Sequence, residues 1–511
     1  MAVRIPGWAG AVVLGALPAL AFPAPSWWWL AWFGLVPLLL LVRAAPTAWG
    51  ASVRACCGVG GFVLTSQYWL ATSAGPLLVV LALGLGALWL PWGWMVHWLL
   101  SAPLSTGRTV AALVVVPSAW VAAEVVRSWP ALGGSWAPLG ASQSSQPVML
   151  ASASLGGVWL TSFLLVAANT ALVAVIVRRD AFGRFGAVVC LVACAAIGPV
   201  CYLWGSAAPG GPTVRVALVQ PGDIADSRAR EAASEALTAT LAGQRPDLVV
   251  WGESSVGHDL TGHPEVLARL RELSRRVGAD LLVNVDAPAP GGGIYKSAVL
   301  VGEHGPLGSY QKTRLVPFGE YVPLRPLFGW ITRHTKAAAE DRQRGSGPVV
   351  LHAGSLAVGP LVSYEIIFSD LARREAQLGA QLLVYQSSTM SFQGSWSQPQ
   401  LGAQPAVRAV EVGRPAVHAG LSGDSSAFDS RGHRLAWCPS DFRGVVLVSV
   451  PLESKATLYQ RLGDWVPVLA FVMLGTVVSV TVLRIWWPNF AVALRSRPRS
   501  SGPAPPTPGS E

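Results

Sequence analysis

Three polar side chains fall where apolar runs in the middle of this 511-residue chain are expected to end as β-strands. Glu253 follows "DLVVW" (247–251), Lys312 lies in "GSYQKTRLVPFGEYVPL" (308–324), and Ser363 closes "GPLVS" (359–363). A strand that stops on a small hydroxyl and turns toward a helix, as in "GPLVSYEIIF" (359–368), presents a nucleophile. Layered α/β sheets collect reactive groups at the carboxyl ends of their strands, and a hydroxyl, a carboxylate and an ammonium are ingredients of nucleophilic catalysis. Each also has a plainer reading: on type alone, Glu253 is more often a solvated loop carboxylate and Lys312 a surface amine. Composition weighs against the second, because the chain has four lysines against 33 arginines. A lysine kept beside a tyrosine and the "VPFGE" loop points to a task for a compact ammonium that a planar guanidinium does not fill.

No rival centre stands out. There is no G-x-S-x-G, and the two histidines of "GHDLTGH" (257–263) have neither strand–turn–helix context nor metal-ligand partners. No metal or cofactor is expected. Of six cysteines only Cys438 lies in the middle region, so no disulfide framework is expected there, and Cys438 reads as a buried structural thiol.

The elements that must hold the three residues alternate along the chain. Strands are expected at 214–220, 247–251, 279–285, 294–301, 356–363 and 381–386, with short ones on to 450. Helices are expected at 229–242, 264–277, near 368–378 and near 402–413. Strands interleaved with helices, plus some hairpins, indicate a layered α/β domain over 212–455.

The rest of the chain is of another kind. Overall 52% of residues are apolar and 13% charged, where a soluble domain carries about 25% charged residues, so a membrane protein is indicated. Apolar runs at 8–22, 27–42, 56–73, 78–100, 109–126, 155–177, 185–204 and 464–484 approach the roughly 20 residues that cross a bilayer. This predicts a seven-helix membrane domain over 1–205, a last span within 456–488, and a disordered Pro/Ser/Gly-rich tail over 489–511. Arg4, Arg43, Arg54, Arg108, Arg178, Arg179 and Arg184 fall in alternate loops, and Arg484, Arg495, Arg497 and Arg499 follow the last run. The positive-inside rule then makes both termini cytoplasmic and puts the α/β domain on the other side of the membrane. The net charge of +10 is largely this topology signal, and no nucleic-acid partner is implied.

The stretches "VALVQ" (216–220), "WGESS" (251–255), "YQKTRLVPFGEYVPL" (310–324), "VSYE" (362–365) and "QPAVRAVEVGRP" (404–415) resemble the nitrilase, or carbon–nitrogen hydrolase, superfamily. Together with "AWVAAEVVRSW" (119–129) and "LASASLGGVWLTSFLL" (150–165) in the membrane part, they look like the bacterial apolipoprotein N-acyltransferase family. The resemblance implies a four-layer αββα sandwich on membrane helices. It implies an acyl-enzyme that takes a fatty acyl chain from a membrane phospholipid and passes it to the α-amino group of a lipoprotein's N-terminal diacylglyceryl-cysteine. Carried over residue by residue, Glu253 is the general base, Lys312 stabilises the oxyanion, and Ser363 stands at the nucleophile. Glu320 orients Lys312 or the incoming amine, and Tyr364 and Glu365 shape the site.

The departures from the family pattern are specific. Ser363 replaces the family's cysteine, and Gly252 replaces the proline of its W-P-E turn. "SSTMSFQG" (387–394) replaces its N-D-A-W-F-G loop, and "PGDIADSRAREA" (221–232) lacks its tryptophan. Two readings follow: a serine-dependent acyltransferase, or a catalytically impaired paralogue that binds lipid or lipoprotein or assists an active enzyme.

Overall fold

Period-two apolar patterning decides which face of a sheet each residue takes, and here it builds two sheets. The computed structural model describes residues 6–101, 104–205, 211–288, 292–333, 341–453 and 455–495. In chain order its strands are β1 (Thr213–Gln220), β2 (Leu248–Trp251), β3 (Asp280–Pro288), β4 (Ile294–Gly302), β5 (Gly305–Gln311) and β6 (Leu351–Ala353). They continue with β7 (Leu356–Val362), β8 (Leu382–Ser387), β9 (Ala416–Gly420), β10 (Ser425–Phe428), β11 (Arg434–Cys438) and β12 (Gly444–Pro451). Sheet one runs β12-β1-β2-β3-β4-β5, and sheet two runs β11-β10-β9-β8-β7-β6. Each has a parallel trio, β1–β2–β3 in the first and β7–β8–β9 in the second, flanked by antiparallel strands.

The alternation along β1 to β3 separates two apolar layers. Val216, Leu218, Leu248, Val250 and Leu282 face Val358, Leu382 and Val384 of sheet two. Their neighbours Ala217, Val219, Val249, Trp251, Leu281 and Val283 face outward, against Val266, Leu270, Leu273 and Val277. Those partners belong to the helix Pro264–Val277, which starts with proline in its first turn and stops at Gly278 in the left-handed conformation. The helix Ser227–Ala239, capped by Asp226 on the Ala229 amide, completes this outer layer.

Sheet two is covered by the helices Ser369–Gln377 and Ser397–Val412. The second of these is shared between two cores: Ala409 and Val412 pack with the sheets, while Ala406, Val407 and Val410 pack with Leu150, Ala153 and Val158 of the membrane helices. The result is an αββα sandwich whose sheet-two side is fused to the apolar helices.

Among the described residues, five helices are long and apolar enough to cross a membrane: Leu77–Leu100, Thr106–Arg127, Ala153–Val177, Ala181–Trp204 and Trp465–Leu483. Gly7–Ala21 and Trp28–Arg43 are shorter apolar helical stretches. The run expected at 56–73 forms instead as Ala48–Ser66, because Thr47 caps the Gly50 amide at 3.0 Å and sets an earlier start. The last helix continues to Arg495, past the expected start of the tail at 489. The remainder of that tail, 496–511, lies outside the described residues.

Two strands were not expected. β5, "GPLGSYQ", has the glycines and proline of a turn, yet its ladder to β4 from Ser297↔Gln311 to Gly302↔Gly305 holds it in the sheet. β6 is only Leu351–Ala353, the edge partner of β7. The helix expected from 402 begins at Ser397, because Gln398 and Gln400 are buried with hydrogen-bond partners rather than lying in a solvated loop.

Candidate active site

Ser363 opens a 3₁₀ turn (Ser363–Ile367) at the end of β7 and sits at φ 55°. For a residue with a Cβ, the left-handed region costs about 1–2 kcal/mol, and it persists only where neighbours hold it. The fully buried Glu365 supplies that hold. Its Oε2 accepts from the Val362 amide at 2.8 Å. Its Oε1 accepts from Tyr310 Oη at 2.7 Å, the Thr313 amide and hydroxyl at 2.8 Å each, and the Arg314 amide at 2.9 Å. One carboxylate thus binds the serine turn to the loop that carries Lys312. Burial, with Glu365 beside it, pushes the Tyr310 phenol well up.

The membrane part holds the same turn from the other side. Tyr364 Oη donates to the Pro130 carbonyl at 3.2 Å, and the Ser135 hydroxyl donates to the Ile367 carbonyl. A Cβ on Gly134, itself at φ +71°, would lie 2.7 Å from Tyr364 Oη, so glycine is what lets this loop approach. A cavity of about 300 Å³ opens alongside, lined by Pro130, Thr313, Arg314, Arg344 and Leu371 among others.

Glu253, just past β2, is 5% exposed. Its Oε1 lies 3.0 Å from Lys296 Nζ and 3.6 Å from Lys312 Nζ, and its Oε2 accepts from the Ser388 amide at 3.0 Å. Burial pushes its pKa up, but Lys296 first and then Lys312, with a further contact from the Ser363 side chain, outweigh this and hold it down to about 2. Gly252 before it has a reason in the packing: a Cβ there would fall 2.5 Å from the Leu421 amide nitrogen.

Lys312 is 1% exposed and donates to Glu320 Oε1 at 2.9 Å. Burial lowers its pKa, but Glu320 and Glu253 overcome this, and the ammonium is held above its ordinary value. Glu320 is fixed in turn, its Oε2 accepting from the Val316 amide at 2.9 Å, with Arg342 Nε 3.9 Å from Oε1. The structure therefore brings the buried Glu253, Lys312 and Glu320 together with the half-buried Ser363, with Tyr364 and Glu365 on the turn behind it. A serine hydroxyl beside an ionised carboxylate and a buried ammonium can form and release an ester.

Lys296 was missed from sequence, although the lysine scarcity that singled out Lys312 applies to it equally. "SSTMSFQG" has a second role besides its Ser388 amide: Phe392 packs on Trp69 of the membrane part at 4.7 Å between ring centroids. Elsewhere the His258 and His263 rings pack at 4.8 Å between centroids, tilted by 57°, and among the described residues no group of three or more His, Cys, Asp or Glu could hold a metal ion. Cys438 is buried, which pushes its thiol up to about 11.

Comparison with known proteins agrees with this architecture on both sides of the junction. The family described as apolipoprotein N-acyltransferase N-terminal domain matches residues 14–171, and carbon-nitrogen hydrolase matches 215–460. An apolipoprotein N-acyltransferase of Azotobacter vinelandii is 30% identical, covering 98% of this chain and 98% of its own. One of Geobacter metallireducens is 29% identical, covering 89% of this chain and 91% of its own. A solved amidase from Nesterenkonia sp. superposes with a TM-score of 0.35 at 22% identity, over 48% of this chain and 94% of that one. Similarity at this level across nearly the whole length of a relative leaves one assignment: the chain belongs to the apolipoprotein N-acyltransferase family.

Proposed function

We propose that this chain moves a fatty acyl group from a membrane phospholipid to the α-amino group of the N-terminal diacylglyceryl-cysteine of a lipoprotein, through an ester on Ser363. The observation that carries the reading is the pairing of the buried Glu253 with Lys296 and Lys312, next to a serine turn whose following residue, Tyr364, is bonded to the membrane part at Pro130. Both substrates are lipid-anchored, and a site built against the membrane helices suits them.

Glu253 acts as general base, first toward Ser363 and then toward the acceptor amine. A carboxylate held near 2 cannot generate a free alkoxide from a hydroxyl as weakly acidic as water, near 15.7, at roughly 1.4 kcal/mol per unit. Proton removal is therefore concerted with attack of Oγ on the acyl carbonyl. Lys312 takes the developing oxyanion, Glu320 holds Lys312 in place, and Tyr364 and Glu365 keep the serine turn in its conformation. Collapse of that intermediate breaks the bond from the acyl carbon to the glycerol oxygen, which takes the proton from Glu253 and leaves as the alcohol of the lysophospholipid. In the second half the amine attacks the Ser363 ester, the same carboxylate removes its proton, and Oγ leaves with a proton returned to it.

The arginine distribution supports a multi-pass protein of the bacterial cell membrane with cytoplasmic termini and the sandwich on the opposite face. On this reading the units are the membrane domain 1–205, the acyl-transfer domain 212–455 and a last span within 456–488. Mass spectrometry of a lipoprotein N-terminus, from cells with and without this chain, tests the function. The N-acylated form should appear only with it, and an identical N-terminus in both would reject the reading.

A further inference from the structure

We infer that Lys296 is a positioning residue of the acyl-transfer centre, fixing the Glu253 carboxylate so that its remaining lone pair faces Ser363. The inference rests on Glu253 being the base. Lys296, on β4, is 7% exposed, and its Nζ is nearer to Glu253 Oε1 than Lys312 is, 3.0 against 3.6 Å.

Counting donors separates the two lysines. An ammonium has three N–H groups and no acceptor. Lys296 Nζ donates to Ser254 Oγ at 2.7 Å and is ion-paired with Glu253 Oε1 at 3.0 Å and Asp286 Oδ1 at 3.5 Å, so three oxygens of the chain itself surround it. Lys312 donates to Glu320 Oε1 at 2.9 Å and has Glu253 Oε1 3.6 Å away, beyond hydrogen-bond reach, so N–H groups remain for an oxyanion. Counting acceptors gives the same division, because an ionised carboxylate has about four lone-pair sites. On Glu253, Oε2 accepts from the Ser388 amide and Oε1 faces the two ammoniums, which leaves a lone-pair site available to the Ser363 hydroxyl.

The support for Lys296 is itself built. Ser254, at φ 57°, donates its amide to Asn284 Oδ1 at 2.9 Å, and Arg230 Nε donates to the Ser254 carbonyl at 2.9 Å. The charged groups facing this cluster are Lys296 and Asp286 from β4 and β3, Arg230 from the outer helix, and Lys312, Glu320 and Arg342 from the loops after β5. Glu365 also acts on Lys312. Of these, Lys296 does most to keep Glu253 ionised against its burial. Without it, the carboxylate can swing toward Lys312 and its protonated form becomes easier to reach.

The test uses the full chain in phospholipid vesicles, with Lys296→Met and Lys296→Arg. Two readouts are taken against pH: the infrared carboxylate signal of Glu253, assigned by its loss in Glu253→Gln, and the rate of ester formation on Ser363. In Lys296→Met the Glu253 titration should rise by on the order of one unit or more, and the acid limb of ester formation should rise with it. Its maximal rate should fall roughly tenfold with the KM for phospholipid unchanged. Lys296→Arg should restore the titration. Wild-type titration and pH profile in a folded Lys296→Met would overturn the inference, making Lys296 a strut only; if that variant does not fold, an unrestored titration in Lys296→Arg does the same. A wild-type chain that forms no ester while Lys296→Met shifts the infrared titration would reject the acyl-transfer reading and leave the positioning intact.

Discussion

The two sheets of the sandwich carry different halves of the chemistry and lie in different surroundings. Sheet one and its following loops supply the charges, Glu253, Lys296 and Lys312, and its outer helices turn an ordinary charged face outward. There Arg269 Nε pairs with Glu235 at 3.0 Å while half exposed. Sheet two supplies Ser363, and its outer helix Ser397–Val412 is buried along nearly its whole length between the sheet and the membrane helices. That helix has its own ion pair, Arg408 Nη1 to Glu411 Oε2 at 3.1 Å, with both side chains at most 1% exposed. Glu411 Oε1 accepts from the Val158 amide at 2.8 Å, where a membrane helix restarts after its kink at Gly156 and Gly157. The charged half thus turns an ordinary exposed face outward, while the half that carries the proposed nucleophile is built into the membrane junction. The proposed reaction at Ser363 requires the two halves to keep register, and Glu365 bridges them.

Two substitutions separate these halves. The larger effect is chemical and belongs to sheet one: Glu253→Gln should lower ester formation on Ser363 by about 10²–10⁴-fold, with the fold intact by thermal unfolding. Loss of less than about tenfold would place the base elsewhere. The second is structural and belongs to sheet two: Arg408→Met strands the buried Glu411 carboxylate and should destabilise the chain by about 3–5 kcal/mol. Arg275→Ala, on the outer helix Pro264–Val277 of the sheet-one side, should leave stability close to that of the unmodified chain, since Arg275 and its partner Glu272, 2.6 Å apart, are both mostly in solvent. Equal losses for Arg408→Met and Arg275→Ala, measured by denaturant unfolding in detergent, would erase the contrast between the two faces.

Much of this organisation is written in local patterns. The β-branched runs ending at Trp251 and Val362 mark their own strand ends, and with them the places of Glu253 and Ser363. What local pattern does not carry is pairing. β5 reads as a turn because its glycines have weak strand propensity, and only the ladder to β4 makes it a strand. Lys296 lies on a strand with no motif about it, and its meaning comes from Glu253, which reaches it from another strand end. The glutamines of the helix Ser397–Val412 look solvated until the membrane helices cover them. Gln400, for example, takes a bond from Trp136 at 3.0 Å and donates to the Ser66 carbonyl at 3.0 Å. The left-handed backbone at Ser363 is held by Glu365, two residues on, and Glu365 is itself fixed by Tyr310, Thr313 and Arg314 of a distant segment.

The most direct test of the account is the intact mass of the full chain after incubation with phospholipid. The account predicts a gain of one fatty acyl chain, located at Ser363, absent from Ser363→Ala and more resistant to neutral hydroxylamine than a thioester. An unmodified wild-type chain, with an adduct appearing only in Ser363→Cys, would contradict it in favour of an impaired paralogue. Unimpaired acyl transfer by Ser363→Ala would contradict both readings and move the reactive atom elsewhere.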